Sequence, residues 1–203
     1  MGHGQGAAHA DIVAGMIAPT RIFIHYLTQL RALLDQVARA DGDIARARLH
    51  PDMFPLLQQA KTAIGFTLRC SCPLAGRDIV SFGDDDDSLA SVFAQLAATL
   101  AYLSAIPDAD FSRIDALTVD TSAGLAQLRL SGWDYFLMYS LPNFFFHYTM
   151  VYAIARHAGV AIGKPDFDGY HSYPPGFSFA AARAPADAPF AGAGAPAPDG
   201  NGR

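Results

Sequence analysis

Only two of the 203 residues are cysteine, only two (Lys61 and Lys164) are lysine, and charged residues make up just 16% of the chain. Cys70 and Cys72 form a C-x-C pair. Side chains two apart point to different sides of a helix, so a disulfide between them is not expected and a reduced, cytoplasmic setting follows. The 14 basic residues form no stripe, and the net charge is −5. A phosphate backbone would have nothing to rest on, so nucleic acid is not an expected partner. Apolar runs are broken by Arg, Asp or Gln well short of the roughly 20 residues that a membrane span needs, which removes the membrane as well. No basic segment leads into an apolar one at the start, so no signal peptide is expected. Neither phosphate-cradling glycine motif occurs (G-x-G-x-x-G or G-x-x-x-x-G-K-[ST]), nor does the G-x-S-x-G of a serine nucleophile.

What is present is a chain that is 51% hydrophobic, enough for one globular domain with a real core. Residues 1–15 are small and carry His3 and His9, and read as a flexible N-terminus. From Gly169 to the end, 169–203, the chain is rich in Pro, Gly and Ala, and disorder is expected after about residue 180. The domain between spans 16–168. Its first helix starts near Pro19 and carries Phe23, Leu27, Leu30, Leu34 and Val37 at helical spacing, ending near Asp41-Gly42. A second begins around Pro51-Asp52 and ends before Pro73. The acidic run Asp84 to Asp87 with Ser88 caps a third, which carries Leu89, Val92, Leu96, Leu100 and Leu103. Between Leu117 and Leu130 the period falls to two, with Ser122-Ala123-Gly124 in the middle, which predicts a β-hairpin. Ser131-Gly132-Trp133-Asp134 reads as the capped start of the last helix, which runs to about His157 and is kinked near Pro142. The fold expected is all-α: an antiparallel up-and-down four-helix bundle with a short β-hairpin before the last helix.

The run Leu141-Pro142-Asn143-Phe144-Phe145-Phe146-His147 stands out. It sets a proline, an amide and an imidazole in one apolar helical stretch, and local rules broken together mark candidate functional sites. This run and His50-Pro51-Asp52-Met53-Phe54-Pro55 resemble the LPNFFFH and DMFP signatures of a bacterial and fungal domain-of-unknown-function family. Arg156-His157, Gly159-Val160, Ile162-Gly163-Lys164 and Asp166-Phe167 resemble its closing segment. That family is similar to a branch of the DinB/YfiT-like superfamily, and the resemblance implies a four-helix bundle. At superfamily distance it implies a three-histidine divalent-metal site and, in some branches, group transfer with small thiols. Here the last-helix pattern is Asn143-x-x-x-His147 rather than a histidine pair, and an amide binds zinc poorly. The position near the second helix carries Asp52, with His50 two residues earlier.

Asn143 and His147 share a helix face one turn apart. Three readings stay open for a cluster of Asp52, Asn143 and His147. Asp52 orients His147 as a general base toward a small-molecule ligand, with Asn143 adding a hydrogen bond. Alternatively His147, Asp52 and His50 hold a divalent metal with open water positions. In the third reading the groups form a buried polar network that fixes the register of the bundle. The expected protein is a DinB-like enzyme on a small organic molecule, with a pocket between helices two and four; the alternative is a non-catalytic ligand-binding or structural bundle. Three successive phenylalanines point around the helix, so at least one faces away from the bundle axis, and a homodimer interface would cover it.

Overall fold

The computed structural model describes residues 18–174 and 176–178. The expected flexible N-terminus with His3 and His9, and the expected disorder after residue 180, lie outside these residues. The chain divides after Tyr170 into two units. In the second, Tyr173 and Phe177 stack with ring centroids 4.7 Å apart.

The first unit is mostly helical. Helix α1 (Pro19–Arg39) opens with proline in its first turn, where the missing N–H is no loss. It buries Phe23, Leu27, Leu30, Leu33, Leu34 and Val37 along one stripe. Full burial of each such side chain stabilises by roughly 1.5–3 kcal/mol before chain entropy is set against it. Helix α2 spans Leu56–Leu74, and both ends differ from the expectation. Residues 50–53 form a turn instead, with Met53 N–H donating to His50 O at 3.0 Å. Pro55 is extended at the N-cap, and Phe54 before it is kept out of the helical region by the proline ring, so the helix starts at Leu56.

At the other end Pro73 is inside the last turn of α2. A proline there cannot donate to the carbonyl four residues back, that of Arg69. Tyr135 supplies the missing donor, its hydroxyl reaching Arg69 O at 2.8 Å. Proline is tolerated because another element completes the helix.

Helix α3 (Leu89–Ser104) is capped by Ser88, whose Oγ accepts from Ser91 N–H at 3.1 Å. Strands β1 (Thr118–Ala123) and β2 (Ala126–Ser131) pair antiparallel with Ala123 opposite Ala126. The predicted hairpin is there, but its loop is Gly124-Leu125 rather than Ser122-Ala123-Gly124. Gly124 takes φ +59° and Leu125 does not, the pattern of a tight II′ turn.

Ser131 caps a single helical turn, Gly132–Asp134, which passes into a π-helical segment, Tyr135–Ser140, and then into helix α4, Leu141–His157. The wide turn falls just before Pro142, whose ring would otherwise press on the carbonyl of Met138. Gly132 is obligatory for a different reason: a Cβ there would lie 2.3 Å from Ile114 O. A short helix, α5 (Lys164–Asp168), packs on α1. His25 Nε2 donates to Asp168 O at 2.8 Å and Tyr148 Oη donates to Phe167 O at 2.5 Å, tying α5 to α1 and α4.

The core is rich in aromatic side chains. Phe144 is fully buried and meets Phe23 edge-on at 5.2 Å and Tyr148 at 5.7 Å. Phe145 is half-buried against Tyr26, while Phe146 is 54% exposed. Helix α4 makes its most extensive packing against α2, and this pairing positions the site.

Candidate functional site

Helix α4 turns His147 toward α2, where Gln59 is buried one turn into the helix among Leu56, Leu57, Ala60 and Ala63. Nδ1 of His147 and Oε1 of Gln59 are 2.7 Å apart. The amide has a defined orientation because Gln59 Nε2 donates to the carbonyl of Phe54 at 3.4 Å. Oε1 must therefore accept, and His147 Nδ1–H must donate. In a neutral imidazole this leaves the lone pair on Nε2. That nitrogen has no partner among the described residues and is not sealed from solvent.

The imidazole lies between apolar surfaces. Its ring is nearly parallel to Phe66 at 5.7 Å (22°) and to Phe54 at 6.4 Å (20°), and meets Phe146 edge-on at 5.1 Å. Burial against these rings disfavours the imidazolium and lowers the His147 pKa below the ordinary 6.5. Burial thus favours the neutral imidazole, and the Gln59 contact directs its proton to Nδ1.

The structure disperses the other residues of the expected cluster. Asp52 and His50 hydrogen-bond to each other on an exposed turn, and both side chains are largely in solvent. Asn143 Nδ2 donates to Tyr139 O at 2.6 Å, so the amide serves the backbone where the π segment meets α4. Gln59 thus takes the orienting place expected of Asp52. The donor set also bears on the superfamily's metal. With Asn143 turned to the backbone and His50 engaged with Asp52, His147 Nε2 is a single donor. Among the described residues no group of three or more His, Cys, Asp or Glu side chains could hold a metal ion. These residues do not fit a three-ligand centre.

Cys70 and Cys72 are both buried, and burial pushes the Cys70 thiol up to about 12, the opposite of an activated nucleophile. No single described helix is long and apolar enough to cross a membrane.

Sequence reasoning missed Gln59, Phe54 and Phe66. A signal for Gln59 was available: a glutamine in phase with Leu56, Ala60 and Ala63 sits on a buried face and must find a partner.

The helical domain with its small antiparallel hairpin is DinB-like in fold. The fold is similar to the crystal structure of a DinB family member protein from Shewanella denitrificans at 1.83 Å resolution, with a TM-score of 0.66 and 26% sequence identity over 83% of this chain and 97% of that one. Residues 16–168 match the model of a domain of unknown function, DUF1993, and the chain belongs to that family. No curated protein matched the chain.

Proposed function

We propose that the protein binds, and acts on, a small organic molecule at the His147 end of the α2–α4 interface, with His147 Nε2 as the general base or hydrogen-bond acceptor. The observation that carries this reading is the Gln59–His147 hydrogen bond, which assigns the proton to Nδ1 and leaves Nε2 available. A general base works best when it is neutral at the working pH and held within hydrogen-bond reach of the proton it takes. Half-exposed Phe54 (51%) and Phe146 beside it would contact the apolar part of the ligand. In this proposal Asp52 and His50, exposed on the neighbouring turn, would meet polar groups of the ligand rather than act on His147. The reaction needs no metal in this proposal. The scaffold is proposed to be the antiparallel four-helix bundle of the superfamily, working in the cytoplasm.

A second reading has its own support. The same hydrogen bond joins α2 to α4, so it also serves a non-catalytic bundle that has lost the superfamily's metal, with exposed Phe146 covered in a homodimer.

One experiment separates the two. A library of small fragments is screened by ligand-observed NMR against wild type, His147→Ala and Gln59→Leu. A functional site predicts fragments with weakly acidic O–H, S–H or N–H groups whose binding is lost in His147→Ala, with only modest loss of stability. Fragment binding indifferent to His147, together with a large fall in Tm, would leave the structural reading standing.

A further inference from the structure

The side of α2 that faces His147 also carries a cation without a counter-charge. Arg69 is partly buried, and its guanidinium lies over the Phe66 ring, 4.8 Å from the centroid. Among the described residues no carboxylate or carbonyl pairs with that guanidinium. Phe66 is also the ring that His147 faces at 5.7 Å, so one phenyl group packs against both the base and the cation. Stacking on an aromatic face restrains a guanidinium and leaves its N–H edge available to donate.

Helix geometry sets the direction in which Arg69 reaches. Long side chains on a helix lean toward its N-terminus and cover the residues three and four positions back. For Arg69 these are Phe66 and Gly65, and Gln59, the partner of His147, lies further in the same direction. The guanidinium is thereby directed along α2 toward the imidazole. Gly65 adds a separate observation. Glycine in the middle of a helix is unfavourable relative to alanine. Its φ is not positive, and a Cβ built there would meet nothing within 4 Å. Neither backbone conformation nor packing within the chain requires glycine at this place. The missing side chain leaves bare backbone and open space one turn before Arg69.

We propose that the His147 site takes a small organic carboxylate, its anion bound by Arg69 and its weakly acidic O–H or N–H directed to His147 Nε2. This rests on His147 acting as the acceptor described above, and adds the charge of the ligand. The apolar body of the ligand lies across the bare backbone at Gly65, between the two polar ends. A guanidinium presents paired N–H donors that match the two oxygens of a carboxylate. A neutral ligand would leave Arg69 unengaged, and a cationic one would be repelled by it.

The test is a titration of the full chain with 4-hydroxyphenylacetate and with its uncharged amide, 4-hydroxyphenylacetamide, at low ionic strength. Ligand-observed NMR gives the affinities, and amide shifts at Gly65, Arg69 and His147 give the place. The two probes share the phenol O–H and the ring and differ only in the carboxylate. Wild type is expected to bind the carboxylate about 10-fold more tightly than the amide. Arg69→Gln should remove that preference and leave the affinity for the amide unchanged, whereas His147→Ala should weaken both probes. Gly65→Leu fills the open space and should weaken both as well. Its Tm should equal or exceed that of wild type, because leucine is the better helix former, so lost binding is not lost folding. Equal affinity for the two probes, a preference that survives Arg69→Gln, or undiminished binding by Gly65→Leu would overturn the carboxylate proposal while His147-dependent binding still stands. Binding of neither probe, or binding indifferent to His147→Ala, would overturn both.

Discussion

Gln59 Oε1 and His147 Nδ1 meet at 2.7 Å across the α2–α4 interface, eighty-eight residues apart in sequence. This contact joins the fold to the chemistry proposed for it. It holds two helices in register and also decides which imidazole nitrogen carries the proton.

The pair should behave as a coupled unit. A double-mutant cycle over Gln59→Leu and His147→Phe is expected to give a coupling of about 1 kcal/mol, the net worth of a neutral side-chain hydrogen bond. Denaturant unfolding of the four proteins measures it. Additive single effects would mean that the contact does not form in solution.

The lowered His147 pKa has a definite consequence for stability. A histidine held neutral in the fold binds fewer protons than it does unfolded, so folding loses stability as pH falls. The contribution is complete above the unfolded value of about 6.5 and disappears as pH drops through the folded value. Stability of wild type relative to His147→Phe should accordingly fall between pH 7 and pH 5. A difference that grows on acidification would contradict the assignment.

Tyr135 completes the backbone at Pro73. In Tyr135→Phe the carbonyl of Arg69 loses its donor, and a cost of about 1–3 kcal/mol is expected from leaving it unpaired. Replacing Pro73 by alanine in the same background restores an N–H to that carbonyl and should recover part of the loss. Equal effects of Tyr135→Phe in both backgrounds would show that the hydroxyl does not serve the proline.

Burial of both cysteines predicts that neither reacts with a thiol reagent at pH 8 while the protein is folded, and that both react when it is denatured. Rapid labelling of Cys70 in the native state would show that the contact between α2 and the π-helical segment opens readily.

Much of the fold was legible because the apolar stripe of α1, the Ser88 and Ser131 caps and the period-two run of the hairpin are local signals. The start of α2 was misplaced because Pro51 read as a helix opener, whereas residues 50–53 form a turn closed by Met53 N–H on His50 O. Pro73 read as a terminator because its remedy, the Tyr135 hydroxyl, comes from a segment sixty-two residues further along. The site was half legible. The pattern around Pro142 located His147, but its partner was sought among charged residues near the DMFP signature. A charged Asp52 is well solvated on its turn beside His50, whereas neutral Gln59 can be buried cheaply once both its amide atoms are paired.

The central claim is that His147 is a neutral base with its proton on Nδ1 and its lone pair on Nε2, and long-range ¹H–¹⁵N NMR of the imidazole across pH 4.5–8 measures this most directly. The account predicts an Nδ1–H tautomer at neutral pH, a titration midpoint below 6.5, and loss of the tautomer preference in Gln59→Leu. An Nε2–H tautomer in wild type, or a midpoint at or above 6.5, would contradict it.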